Sequence, residues 1–330
     1  MKAPFFWQKR KSALAFLLAP FGFLYAYMTQ RRLKKNTPYD AKTKVICIGN
    51  LSVGGTGKTP VCLALGDFFN KRGQKFFYLN HGYHSKKQNI LINKDSLYTQ
   101  GLSDEAFILA AKAPTIISKN RKEGALLAEK NGASLLIMDD GFQNPFLHKD
   151  FSFLVVDGEK GFGNGRVLPA GPLREPVDKG LARAQAVILI GQDKTGALDL
   201  LNKLFQKQKR SLPILKATIQ PAASLVDELK EQPLFAFCGI GRPEKFYATL
   251  TQAGLKIRRT ADFSDHHLYT KKELDFLQDQ AQKDGLTLIT TRKDAVKLPA
   301  FFQEKIKVMD IELIFENEEQ LTNLMKDFIL

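Results

Sequence analysis

Sixteen consecutive residues constrain this chain more than any other stretch. Val45-Ile46-Cys47-Ile48 is a short apolar run of the buried-strand type, and Gly49-Asn50-Leu51-Ser52-Val53-Gly54-Gly55-Thr56-Gly57-Lys58-Thr59-Pro60 follows without a break. A strand that passes through a glycine-rich turn into a helix start gathers backbone N–H groups at the helix N-terminus, where they cradle phosphate. In the pattern G-x-x-x-x-G-K-[ST] the lysine, here Lys58, reaches the β- and γ-phosphates, and the hydroxyl, here Thr59, meets Mg²⁺. Ser52 stands where that pattern has its first glycine, while Gly54 and Gly55 keep the turn's backbone freedom. The expected cradle is Ser52, Val53, Gly54, Gly55, Thr56, Gly57, Lys58 and Thr59.

Alone, that stretch could be a plain turn between a buried strand and a helix. Ala133-Ser134-Leu135-Leu136-Ile137-Met138 argues otherwise, because it is a second apolar run of the parallel-strand type and ends in Asp139-Asp140. A carboxylate at the C-terminal end of such a strand is where a phosphate-binding loop finds its magnesium-organising acid. Consecutive strand residues face opposite ways, so the two aspartates are expected to do different work. Together the elements point to nucleotide binding, with ATP and Mg²⁺ as the expected cofactors.

The rest of the chain alternates in the same manner. Val61 to Asn70 reads as the loop's own helix, closed by Lys71-Arg72-Gly73. Strands are expected near 76–79, 115–117, 134–138, 151–157 and 184–190, with helical stretches near 104–112 and 121–131. This alternation builds a mostly parallel sheet with helices on both faces. The glycine- and proline-rich stretch from Gly158 to Pro176 is too long for a simple connection, as functional or disordered loops are. From Ile214 the alternation restarts: a strand at 234–238, a helix from Pro243, a strand near 286–290 and a last helix at 317–328. The expected fold is α/β. It has a P-loop-type, mostly parallel sheet domain over 36–213, a second, smaller α/β domain over 214–330 that closes over the site, and an N-terminal membrane helix within 1–35.

Charge is spread unevenly. The chain carries +15 at pH 7, yet residues 1–44 hold ten Lys and Arg against Asp40 alone, which leaves +6 for the other 286 residues. A basic nucleic-acid-binding globule is thereby disfavoured, and no nucleic-acid partner is expected. Ala13 to Met28 is sixteen residues without a charged side chain, shorter than the about 20 that a full span needs, and Pro20 interrupts it. Arg31-Arg32-Leu33-Lys34-Lys35 follows where a signal peptide would show a small-residue cleavage site. Trp7, Tyr25 and Tyr27 fall where interfacial aromatics sit. The segment reads as an anchor that dips into or just spans the bilayer, its flanking cations drawn to anionic phospholipid; a buried soluble helix is the plain alternative. Cys47, Cys62 and Cys238 lack metal or redox spacing and read as small buried hydrophobes in a reducing compartment.

Several motifs resemble those of a known family. The asparagine-led loop 49–60, Asp139-Asp140-Gly141-Phe142-Gln143, and Gly163-Asn164-Gly165-Arg166 with Pro169-Ala170-Gly171-Pro172-Leu173-Arg174-Glu175-Pro176 are similar to tetraacyldisaccharide 4′-kinases. Gly239-Ile240-Gly241-Arg242-Pro243, Asp265-His266-His267 and Lys293-Asp294-Ala295-Val296-Lys297 extend the likeness almost to the C-terminus. The resemblance implies transfer of the ATP γ-phosphoryl group to the 4′-hydroxyl of a tetraacyl glucosamine disaccharide 1-phosphate, a lipid A precursor, giving lipid IVA. Because the phosphate loop must meet cytosolic ATP, the body is expected on the cytoplasmic face of the inner membrane, and a monomer is expected. Three segments depart from the family's pattern: Asn80-His81-Gly82-Tyr83-His84 lacks its arginine, Ser103-Asp104-Glu105-Ala106 keeps only its acids, and Asn144 replaces a histidine.

By motif carry-over, Asp104 is the expected base for the sugar hydroxyl, paired with His266; adjacent His267 is not separable from it by sequence. The plain reading of Asp104 is a helix-capping acid, since Ser103-Asp104-Glu105 precedes an apolar run. Thr59, Glu105 and Asp139 are the expected Mg²⁺ organisers, because Mg²⁺ takes one or two carboxylates beside phosphates. Lys58 and Arg174 are expected on the transferring phosphate, with a surface arginine as the plain alternative for Arg174. Asn50, Arg121 and Asp140 are the expected substrate contacts. The competing function is a membrane-associated P-loop GTPase or ATPase switch. GTPases read guanine with Asn-Lys-x-Asp, and the nearest string, Asn93-Lys94-Asp95-Ser96, sets its acid one position early.

Overall fold

The computed structural model describes residues 4–9, 11–83, 85–96, 98 and 101–329; His84 of the 80–84 segment lies outside them. Among the described residues thirteen strands form two sheets. In chain order they are Lys44–Gly49 (β1), Phe76–Asn80 (β2), Ile90–Ile92 (β3), Thr115–Ile117 (β4), Leu135–Asp139 (β5), Phe151–Asp157 (β6), Ala186–Ile190 (β7) and Ile214–Pro221 (β8), then Pro233–Cys238 (β9), Lys256–Asp262 (β10), Thr287–Thr291 (β11), Lys307–Met309 (β12) and Ile311–Phe315 (β13). The larger sheet runs β13-β8-β7-β6-β1-β5-β2-β4-β3, and the smaller β10-β9-β11-β12. Pairing is parallel throughout except at the two ends of the larger sheet, β13 on β8 and β3 on β4.

The central strands are apolar on both faces, which is why they read as unbroken runs rather than alternating ones. Val45, Cys47, Leu136, Met138, Leu154 and Val156 face one core layer. Ile46, Ile48, Ile137, Phe153 and Val155 face the other, under Val61, Leu65 and Phe69 of the helix Lys58–Asn70. The cysteines are buried and free, as expected.

Five helices flank or position the candidate site: Ala13–Leu17 (α1), Ala19–Lys35 (α2), Lys58–Asn70 (α3), Asp104–Ala110 (α4) and Arg121–Lys130 (α5). The N-terminal segment corrects one expectation. The chain breaks at Leu18 into α1 and α2, and four cations occupy the end of α2, so no helix among the described residues is long and apolar enough to cross a membrane. The boundary at 213/214 also shifts. β8 continues the larger sheet beside β7, and β13 returns to it, so the smaller sheet is built between them. A restart of strand–helix alternation looks the same in sequence whether it opens a new sheet or extends the old one.

The long segment 158–176 folds back on the phosphate-loop region. Ser52 forms an antiparallel bridge with Leu173, Val53 N–H donates to Pro172 O at 2.8 Å, and Arg174 N–H donates to Leu51 O at 2.6 Å. Ser52 therefore lies extended, where glycine's freedom is not needed. Positive φ falls on Gly54 (104°) and Gly57 (87°), where the sequence does supply glycine.

α3 approaches β2 closely at Gly66. A Cβ there would lie 1.8 Å from the Tyr78 hydroxyl oxygen, which donates to Cys62 O at 3.1 Å. Gly66→Ala is predicted to overpack this contact and break the buried hydrogen bond, costing about 2–4 kcal/mol. A urea midpoint equal to that of the unsubstituted chain would show that the interface relaxes freely.

Candidate functional site

Parallel register places the candidate site. Ile48 of β1 pairs with Asp139 of β5, and Leu79 of β2 pairs with Met138, so Asn50, Asp139 and Asn80 end neighbouring strands on one sheet edge. The C-terminal edge of parallel strands is where α/β proteins gather ligands. The loop after β1 opens α3 through Gly57, and a Cβ added at Gly54 or Gly55 would meet nothing within 4 Å, so that flank of the turn is open.

Asn50 is fully buried rather than offered to a substrate, which corrects that expectation. Its Nδ2 donates to Ser52 O (2.7 Å) and Thr56 Oγ1 (2.8 Å), stapling the turn across its width, and its Oδ1 accepts from Lys58 Nζ at 3.4 Å. Arg121 is also corrected. Its side chain is 2% exposed, and its guanidinium donates to Leu79 O, Ser118 O and Asp139 O. It ties the ends of β2, β4 and β5 together from behind, because three carbonyls at strand ends need donors that the sheet does not supply.

The two aspartates differ in their surroundings, though not through strand alternation, because β5 ends at Asp139 and Asp140 lies in the turn beyond it. Asp140 has a positive φ of 51° and faces the loop, where it accepts from Arg174 at 2.8 and 3.2 Å and lies 3.7 Å from Lys58 Nζ. Burial alone would raise its pKa, but Lys58 and Arg174 outweigh burial and hold it below the usual carboxylate range. Asp139 is 4% exposed. Its Oδ2 accepts from Asn80 Nδ2 at 3.1 Å, while its buried Oδ1 has no hydrogen-bond partner among the described residues. Burial pushes Asp139 up to about 6, against the pull of Lys58. A buried carboxylate oxygen without a donor beside an open phosphate loop fits a hard cation or its water. No group of three metal-binding side chains is preassembled among the described residues, and Mg²⁺ held against phosphates needs only one or two acids.

The smaller sheet supplies the opposite wall. After β10 the chain turns through Ser264 to His266, whose φ is 60°, and His266 Nδ1 lies 2.9 Å from Asp104 Oδ2. A non-glycine residue held at positive φ against a carboxylate is a positioned group. His267 turns away, with Nε2 at 3.1 Å from Glu273 and its ring stacked on Phe263, so geometry separates the two histidines. After β11, Lys293 reaches Glu105 at 2.6 Å. Burial opposes ionisation of Glu105, yet Lys293 overrides it and brings the carboxyl to about 2. Asp294 and Lys297 of the same motif form a buried ion pair at 2.8 Å behind this wall. Asp104 is 6% exposed, and its Oδ1 accepts from Tyr98 OH at 3.0 Å. The side chain of Ser103 accepts no capping bond from the helix and instead donates from Oγ to Glu105 at 3.0 Å.

The expected groups therefore converge: Lys58, Asp139, Asp140 and Arg174 on one side, and Asp104, Glu105 and His266 on the other, with half-buried Thr59 beside Lys58. Sequence reasoning missed Tyr98, for which there was no signal, and gave Lys293 no role despite its motif. It also missed Gln143 and Glu175, which stand within family-like motifs. His81 does not restore the missing arginine's charge, because burial and nearby Arg121 lower its pKa.

A sequence-family model described as tetraacyldisaccharide-1-P 4′-kinase matches residues 14–329. A protein named tetraacyldisaccharide 4′-kinase from Paramagnetospirillum magneticum is 42% identical over 325 residues, covering 98% of each chain. One of the same name from Gluconobacter oxydans is also 42% identical, again over 98% of both chains. Among solved structures, LpxK from Aquifex aeolicus, described as an "apo" form in complex with ATP, aligns with a TM-score of 0.75 at 26% identity, over 96% of this chain and 100% of that one.

The unpartnered oxygen of Asp139 has a consequence for stability. The folded chain holds this proton up to about pH 6, whereas an unfolded aspartic acid releases it near 3.8, so the native state loses stability as pH rises through that window. Asp139→Asn is predicted to stabilise the metal-free chain at pH 7 by about 2–3 kcal/mol and to flatten the pH dependence between 4 and 6. Urea unfolding across that range checks it; a variant less stable at pH 7 would mean that the carboxylate is already paired.

Proposed function

The chain belongs to the tetraacyldisaccharide-1-P 4′-kinase family, and we infer that it transfers the γ-phosphoryl group of ATP to the 4′-hydroxyl of a tetraacyl glucosamine disaccharide 1-phosphate, forming lipid IVA in lipid A biosynthesis. The observation that carries the mechanism is the Asp104–His266 contact, made across the cleft from a phosphate loop whose lysine points to its acidic neighbours. A GTPase or ATPase switch is not favoured, since the family's named activity is a lipid-sugar kinase.

Asp104 accepts the proton of the sugar hydroxyl as its oxygen attacks Pγ and the bond to the ADP oxygen breaks. His266 orients the carboxylate through Nδ1. Lys58 and Arg174 exchange Asp140 for phosphate oxygens, a trade of one anion for another that leaves both cations paired. Thr59, Glu105 and Asp139 would hold Mg²⁺, which supplies charge neutralisation on the β- and γ-phosphates when bound. The unit carrying the smaller sheet closes over this cleft, bringing His266 and Lys293 with it.

The N-terminal helices place this machinery on its lipid acceptor. α1 and α2 turn small residues toward the body, with Ala15 and Gly22 buried and Gly22 against Val167 and Ala170. Phe16, Leu17, Phe21, Phe23, Tyr27 and Met28 are each more than 60% exposed. A helix that hides its glycine and shows its phenylalanines is built for an apolar surface, here the interfacial layer of a membrane, with Arg31, Arg32, Lys34 and Lys35 set to meet anionic phospholipid. A cytosolic ATP supply then puts the body on the cytoplasmic face of the inner membrane.

Incubation of the purified protein with ATP, Mg²⁺ and the disaccharide 1-phosphate should yield a new phosphate monoester by ³¹P NMR; its absence refutes the assignment. Asp104→Ala is predicted to lower turnover by about a hundredfold or more while ATP affinity stays nearly intact. Equal losses in both would move Asp104 to a metal or structural role. For the helices, Phe16→Asp with Phe23→Asp is expected to reduce co-flotation with vesicles containing anionic phospholipid at least severalfold, and unchanged flotation would dismiss the interfacial reading.

A further inference from the structure

The edge of α2 that faces the body repeats every four residues through Gly22, Ala26 and Gln30, two small residues and one amide. Gln30 Nε2 donates to Glu175 Oε2 at 3.0 Å. Glu175 is 0% exposed, and its other oxygen accepts from Arg183 (2.7 Å) and from Gln143 Nε2 (2.9 Å). Among the described residues Oε2 receives no other hydrogen bond, so Gln30 completes a fully enclosed carboxylate that would otherwise keep a bare oxygen.

Gln143 carries the effect onward. Its Nε2 also donates to Asn50 O at 2.9 Å, and its Oε1 accepts from Arg174 Nη1 at 3.3 Å. The same Arg174 nitrogen reaches Asp140 at 2.8 Å. An amide is polar at both ends. Reversed, it would set its NH₂ against the Arg174 guanidinium and its oxygen against the Glu175 carboxylate, two repulsions in place of two bonds. Glu175 and the Asn50 carbonyl together hold Gln143 in one orientation, and Gln143, with Asp140, braces Arg174. Arg32 of the same helix adds a bond to Gln143 O at 3.2 Å.

From this chain of contacts we propose that Gln30 is a positioning residue of the phosphoryl-transfer site: through Glu175 it locks the amide of Gln143 and thereby holds Arg174 where the transferring phosphate is to lie. This deepens the kinase reading and rests on it for the kinetic consequence. It also gives α2 a second task, because the helix that meets the lipid surface is hydrogen-bonded to the group that aims the arginine.

The test compares Gln30→Leu, which keeps the bulk and removes the donor, with Gln30→Lys, which can still donate to Glu175. With Mg-ATP and detergent-dispersed tetraacyl disaccharide 1-phosphate, the leucine variant should lose about tenfold in kcat with the KM for ATP changed less than twofold, and the lysine variant should recover to within about threefold. Amide hydrogen exchange of the full chain should speed up over residues 140–144 and 172–176 in the leucine variant and not in the lysine variant. Native kcat for Gln30→Leu, equal deficits in both variants, a loss confined to the acceptor KM, or unchanged exchange would each overturn the proposal. An unsubstituted protein that makes no phosphate ester would instead overturn the kinase reading, and the exchange comparison would still decide the positioning role.

Discussion

Two neighbouring carboxylates at the first turn of α4 hold the cleft together. Asp104 takes His266 from the turn after β10, and Glu105 takes Lys293 from the turn after β11, so each acid bonds to a different strand end of the smaller sheet. Both acids sit in the first turn of the helix, where the backbone's partial positive charge favours an ionised Glu105. Partial burial works against that, and the Glu105 carboxyl, at about 2, shows the cation winning. His266 and Lys293 both belong to the unit that carries the smaller sheet, so these two contacts tie that unit to the helix of the larger one.

The phosphate side has its own balance of charge. Asp140 pairs with Arg174 at 2.8 Å and with Lys58 at 3.7 Å, which leaves the trio with one net positive charge. Asp139, one residue earlier on the strand, has the opposite condition: Asn80 satisfies one oxygen and nothing among the described residues satisfies the other. Asp139 closes β5, and Asp140, at a φ of 51°, has already left the strand, so the two side chains part at the turn.

The N-terminal helices reverse the usual pattern of a surface helix, burying Gly22 and exposing Phe21 and Phe23. Their small-residue edge permits close approach to the long segment around Val167 and Ala170, and that same segment continues to Leu173, Arg174 and Glu175 beside the phosphate loop. The long segment is therefore a bridge between the apolar surface and the chemistry. Its length reflects two docking surfaces served by one stretch of chain.

Much of this was legible in the residues. Unbroken apolar runs at 45–48, 135–138 and 153–156, bounded by turn residues, fit strands covered on both faces, and the turn from Gly54 to Thr59 has glycine where φ is positive, so the parallel sheet and its phosphate loop were legible from local rules. Local rules could not tell His266 from His267, place β8 in the larger sheet, or see that Asn50 and Arg121 turn inward to serve backbone groups. Those outcomes depend on which strand ends become neighbours, and on which carbonyls are then left needing a donor. That is decided when distant segments pack, because hydrogen-bond satisfaction is a property of the assembled sheet edge rather than of any stretch of sequence.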